Sequence, residues 1–238
     1  MKKMKKRVLS GIMALSFVIS SGIPVFASDF LVSEKGTYTA LDANQKRFES
    51  MTVGQLNQFI DSIAKKSNPQ QIRPNGITPI NPGIHFNDLQ DAWLAAAMIA
   101  KRKGYPCSAE LIKCSVKGKD YNETASSDGL FRKKIRKTTP YKNYMKPVMR
   151  NKEAYSSGSF NIEKSDNSDL FYALHSVDIS TVKSTNNYAV EITDTFDFEY
   201  MKDYDSPFTA SVNNWAWLCQ NAAVLYPIDV TITFRENA

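Results

Sequence analysis

Asp194 is the residue most out of place in this sequence. It stands between Ile192 and Phe196 on the apolar side of a stretch, Tyr188 to Phe198, that otherwise alternates strictly. A carboxylate among apolar neighbours is costly unless it is paired, bound to a metal or protonated. The alternative is that Asp194 marks the point where the strand leaves its sheet. Further acids follow closely: Asp197, Glu199, Asp203 and Asp205, with Phe196, Phe198, Tyr200 and Tyr204 between them. Oxygen ligands at such spacing suit Ca²⁺ or Mg²⁺, and Asp194, Asp197, Glu199, Asp203 and Asp205 form the candidate metal set. The spacing is not that of an EF-hand loop, which needs alternating acids, a central Gly and a terminal Glu.

His175 is the candidate partner for these acids. Read as strand residues, His175, Val177 and Ile179 share one face. With Asn186-Asn187 as a two-residue turn, Thr185 opposes Tyr188 and His175 opposes Phe198. A longer loop that shifts the register by four would instead set His175 directly across from Asp194. His175, Asp194 and Asp197 would then form a candidate acid/base or metal constellation. Otherwise His175 is a satisfied core residue. With two histidines in the chain, a His-rich zinc site is excluded and a Cys-His protease is disfavoured. There is no G-x-S-x-G, H-E-x-x-H, Cys-x-x-Cys or Gly-rich phosphate loop.

The string Asp194-Thr195-Phe196-Asp197 resembles the D-x-aromatic-D element of colicin M-like toxins, which cleave lipid-linked peptidoglycan precursors. In that family a His-Arg pair follows shortly afterwards. Here Phe198-Glu199-Tyr200-Met201-Lys202 and then Asp203-Tyr204 stand in its place, so the resemblance covers four residues. It implies an exported, envelope-directed hydrolase or toxin in which Asp194 is the principal carboxylate.

The second chemical feature is charge. Residues 101–152 carry 15 basic and four acidic side chains, net +11, whereas residues 153–238 carry four basic and 13 acidic, net −9. Such polarity means either two parts that attract each other or a face for an anionic partner. The densest run, LFRKKIRKTTPYKNYMKPVMR (130–150), interleaves aromatics and methionines with cations. Arg132, Lys133, Lys134, Arg136 and Lys137 are the candidate binding residues for teichoic acid, anionic lipid headgroups or another anionic surface. Pro140 and Pro147 are expected to divide the run, so that it is not one long helix.

Residues 1–27 give the location. Five cations precede an apolar stretch from Val8 to about Phe26, broken near its end by Gly22 and Pro24. Val25 and Ala27 then supply the small residues of a signal-peptidase site, so cleavage after Ala27 and an extracellular mature protein of a Gram-positive type are expected. The signal also holds most of the net charge: the remaining chain has 25 basic and 24 acidic residues, which removes the composition argument for nucleic acid. No later stretch is long and apolar enough to span a bilayer.

The elements follow from periodicity and punctuation. Thr52 and Gln55 form a capping box for a helix reaching about Lys66, and prolines 69, 74, 79 and 82 make 67–84 an extended connector. Asn87 and Gln90 repeat the capping signature before an alanine-rich helix closed by Gly104, and a second helix from about Ser108 makes an αα-hairpin. Cys107 and Cys114 would lie about 10 Å apart along that helix, too far for a disulfide. Either Cys219 pairs with one of them or all three are small buried hydrophobes. Residues 117–129 and 151–168 read as loops. The hairpin 171–198, a helix from Phe208 to about Ala222 and a strand from Ile228 to Phe234 complete a ββαβ unit. The expected fold is α+β, in four parts: the signal 1–27, an N-terminal helix and connector 28–86, a helical basic lobe 87–152 and an acidic lobe 153–238. Two functions fit: a secreted non-enzymatic interaction protein meeting an anionic envelope component or a protein partner, or the envelope-directed hydrolase built on Asp194. A purely structural envelope protein is a third.

Overall fold

The structure is a computed structural model that describes residues 46–66, 86–125, 129–199, 216, 217, 219–221 and 223–237. The expected signal, the proline-rich stretch 67–84, His85, Asp203, Asp205 and most of the helix expected from Phe208 lie outside them.

The fold is α+β, a helical part followed by a five-stranded mixed sheet. The capping box at Thr52 forms as the sequence predicts. The Thr52 amide donates to Gln55 Oε1 (2.7 Å), and the Gln55 amide donates to Thr52 Oγ1 (3.2 Å). Helix α1, Val53–Lys66, follows and buries Leu56. Helices α2 (Phe86–Arg102) and α3 (Pro106–Lys117) make the αα-hairpin. Gly104 ends α2 at φ 91°, and the Tyr105 amide reaches back to the Ala100 carbonyl at 3.0 Å. Ala92, Ala95, Ala96, Ala97 and Ala100 are all buried, so their small size serves close packing. The second capping signature was misleading. Helix α2 already includes Phe86 and Asn87, and Gln90 points inward to donate to the Val116 carbonyl.

Strand β1 (Tyr121–Glu123), helix α4 (Leu130–Ile135), helix α5 (Thr139–Asn151), strand β2 (Tyr155–Asn161), helix α6 (Ser168–Ala173) and strands β3 (Ser176–Lys183), β4 (Asn187–Phe196) and β5 (Ile228–Asn237) follow in order. The sheet order is β1-β5-β4-β3-β2; β1 runs parallel to β5 and the other pairs are antiparallel. Strands β4 and β5 match the alternating stretches read from sequence. Strands β1 and β2 fall where loops were expected, because three residues are too few to show a period and YSSGSFN has no apolar alternation.

Four further expectations need correction. Pro147 does not divide the basic run: it lies inside α5, where only the exposed Asn143 carbonyl loses its helical partner, while Pro140 opens the helix in the first turn. The β3–β4 turn is four residues, not two. Lys183 opposes Tyr188 and Asp178 opposes Thr193, a register two away from the tight-turn one and two short of the register that faces His175 with Asp194. The segment Phe171–Ile179 is not one strand, since Phe171 to Ala173 belong to α6, capped by the Asn167 side chain accepting from the Leu170 amide at 3.0 Å. His175 is therefore in a turn, at φ 48°.

One sheet face is buried. Val177, Ile179, Tyr188, Val190, Ile192, Phe196, Ile228, Val230, Ile232 and Phe234 line it against the helices. The opposite face is polar, and one row crosses all five strands: Asn122, Thr231, Thr193, Asp178 and Ser159. An antiparallel sheet with one wet face takes this pattern.

Candidate functional site

The basic segment occupies two helices that treat their cations differently. In and just after α4 the cations are drawn into the protein. Lys134 Nζ lies 2.6 Å from Asp169 Oδ2, a carboxylate whose side chain is 3% exposed. Arg136 Nε lies 2.6 Å from Glu236 Oε1, its Nη2 donates to the Arg235 carbonyl, and its guanidinium sits 5.1 Å above the Phe234 ring. Arg132 donates through Nη1 to the Ala125 carbonyl. Lys133 and Lys137 are exposed.

Three carboxylates that sequence reasoning passed over organise this region. Asp169 accepts from the Cys107 and Ser108 amides (2.9 and 3.0 Å) and from Ser108 Oγ (2.9 Å), capping the start of α3 from a distant part of the chain. Glu123 does the same for α4, accepting from the Phe131 and Arg132 amides at 2.9 Å each and from the Tyr121 hydroxyl at 3.0 Å. Glu236 accepts from the Tyr141 hydroxyl as well as from Arg136. Burial and these carboxylates push the Tyr121 and Tyr141 hydroxyls far up from their ordinary range. No local pattern marks such residues, because apart from Tyr121, two positions from Glu123, their partners lie 8 to 100 positions away.

In α5 the cations are outside. Tyr141, Met145 and Val148 face the core, and Lys142, Lys146 and Arg150 recur every four residues along the exposed side. Among the described residues Lys142 and Lys146 have no acidic partner, and Arg150 reaches only its neighbour, Nε to Asn151 Oδ1 at 3.4 Å. Met149 is partly exposed beside the row.

The Asp194 region is assembled differently from expectation. Asp194 is half-buried on the inner side of β4, opposite Val230, which in turn opposes Tyr121. His175 is not on a paired strand, so register does not join it to Asp194. Its ring stands edge-on to Phe171 at 4.9 Å, and its buried Nδ1 has no hydrogen-bond partner among the described residues. Burial lowers its pKa, against the opposing pull of Glu163. Asp197 and Glu199 follow β4 where Gln220 binds both the amide (2.9 Å) and the carbonyl (3.3 Å) of Phe198. Among the described residues no group of three or more His, Cys, Asp or Glu is placed to hold a metal.

The three cysteines are free. Burial pushes the Cys219 thiol up to about 12 against the nearby Trp93 N–H, and the Cys114 thiol up to about 11. Cys107, buried beside Asp169, is raised further still. None resembles an activated nucleophile. No described helix is long and apolar enough to cross a membrane.

No family model and no curated protein matches the chain. One structural similarity is to PaeM, a colicin M-like bacteriocin produced by Pseudomonas aeruginosa, at 12% identity over 84% of this chain and 79% of that one. Its TM-score of 0.26 carries no argument, for a toxin reading or against it.

Proposed function

We propose that this is an exported interaction protein that holds an anionic component of a bacterial cell envelope through the second half of its basic segment. The observation that supports it is the division of the cations. Lys134 and Arg136 are spent on Asp169 and Glu236 inside the molecule, whereas Lys142, Lys146 and Arg150 stand in an exposed row without acidic partners among the described residues. Two pairs of the +11/−9 polarity are thereby internal, and part of the remaining positive charge stands on α5. Sedimentation of residues 28–238 with isolated Gram-positive cell walls, at rising salt, tests the reading. Retention lost towards about 0.5 M salt, where screening acts over only a few Å, supports it. Retention indifferent to salt, or none at low salt, counts against it.

A second reading rests on Asp194, a half-buried carboxylate flanked along the inner face of β4 by fully buried Ile192 and Phe196. In an envelope-directed hydrolase it would be the acting carboxylate. Periplasmic export of wild type and Asp194→Asn in a Gram-negative host separates the two readings. Lysis by the wild type alone favours the hydrolase, and equal growth of both cultures favours the binding protein.

A further inference from the structure

We infer that the ligand of the α5 surface is a linear phosphodiester polymer lying along the helix, with Lys142, Lys146 and Arg150 each meeting one phosphate. This rests on the envelope-binding reading above and names its ligand class.

The shape of the charge distribution carries the inference. The three cations are spaced i, i+4, i+8 on one helix, so successive side chains step about 6 Å along the axis and the row is about 12 Å long. It is one side chain wide. Tyr141, Met145 and Val148 are buried on one side of it, and neutral Asn143, Pro147 and Asn151 lie on the other. Exposed Lys137 and Lys152 bracket the helix in sequence, one before its first turn and one after its last. A narrow file of evenly spaced point charges complements a chain that carries one charge per repeat. Phosphates joined through a short polyol are spaced close to the step of this row, and a phosphodiester keeps its charge at any pH of growth.

Two other phosphate-bearing partners fit less well. A bilayer offers a plane of headgroups, which rewards a broad basic patch with interfacial Trp or Tyr. Beside this row the only exposed large apolar side chain among the described residues is Met149. Exposed Tyr155 and Val182 oppose each other across β2 and β3 on the polar face of the sheet, away from the helices. Single-stranded nucleic acid asks for aromatic platforms on which bases stack. Tyr141 is buried, and half-buried Tyr144 has its hydroxyl on Ser156 Oγ at 3.1 Å.

The experiment titrates residues 28–238 with poly(glycerol phosphate), glycerol phosphate monomer, phosphatidylglycerol vesicles and poly-uridine RNA. The polymer is expected to bind and the monomer not. Three phosphate contacts give a slope of log K against log salt of about −2. The variant K142Q/K146Q/R150Q is expected to lose about a hundredfold in affinity, near the loss for three basic residues on an anionic surface. K46Q/K101Q/R235Q, which removes three exposed cations elsewhere, is expected to stay within about twofold, since only general screening changes. Polymer binding unaffected by the first variant would overturn the assignment to α5. Tighter binding to vesicles or RNA than to the polymer would overturn the ligand class, while wall retention keeps the broader reading standing. Failure to bind the polymer together with failure to bind walls would overturn both.

Discussion

The Lys134 ammonium lies 2.6 Å from a carboxylate oxygen of Asp169, and the same carboxylate holds the first amides of helix α3. One buried acid thus ties the basic segment to the αα-hairpin. The charge asymmetry of the sequence is in part a folding device, and only the cations left over are available to a partner.

Asp169→Ala removes a cap and strands a cation at once. With Lys134 25% exposed, water recovers part of the loss, so the expected destabilisation is about 3 kcal/mol, the low end for breaking a buried pair. Lys134→Met should cost less than half of that, because Asp169 keeps its amide donors. Urea unfolding monitored by tryptophan fluorescence reads both. Equal losses for the two variants would show that the ion pair, and not the cap, is the main contribution.

Gly129 abuts the other capping acid. A Cβ built there would fall 1.8 Å from Glu123 Oε1, so Gly129→Ala must displace the carboxylate from the Phe131 and Arg132 amides. The expected cost is about 2–4 kcal/mol, combining overpacking with a lost cap. Glu123→Gln, which keeps the shape and one acceptor, is expected to cost less. A neutral Gly129→Ala in the same unfolding assay would contradict the assigned role of Glu123.

His175 predicts acid sensitivity. Its pKa is lowered in the folded state, so the unfolded chain binds the proton more readily. The residue has no such effect above the ordinary histidine range, and it destabilises progressively as the pH falls through that range. His175→Asn suits the left-handed backbone at φ 48° and should flatten the fall in melting temperature between neutral pH and about pH 5. An unchanged pH profile in the variant would remove His175 as its source.

The thiols should be silent in the native protein. Cys107 and Cys219 are buried, and all three pKa values lie above the ordinary range. Ellman's reagent at neutral pH is expected to react slowly, with Cys114 first, and to count three thiols in denaturant. Fewer than three in denaturant would indicate a disulfide.

What the sequence revealed was what is local. The Thr52–Gln55 box, the alanine-rich hairpin with its Gly104 stop, and strands β4 and β5 all declare themselves within a few residues. Strand β2 is hidden by its Ser/Gly composition, and α6 by its six-residue length beneath an apolar run that mimics a strand. The β3–β4 register depends on a four-residue loop that Asn186-Asn187 disguises as a tight turn. For the candidate surface, the basic segment is visible in the sequence, but the division of its cations between internal ion pairs and an exposed row is not. Their division depends on where Asp169 and Glu236 arrive from, 35 and 100 residues away.

The central claim is that α5 presents the binding cations. The most direct test is retention on isolated Gram-positive walls of residues 28–238 as wild type and as K142E/K146E/R150E, with folding of each verified by circular dichroism. At about 0.1 M salt, where the Debye length is about 10 Å, the wild type should sediment with the walls and the reversed variant should remain in solution. A folded variant that sediments as fully as the wild type would contradict the account.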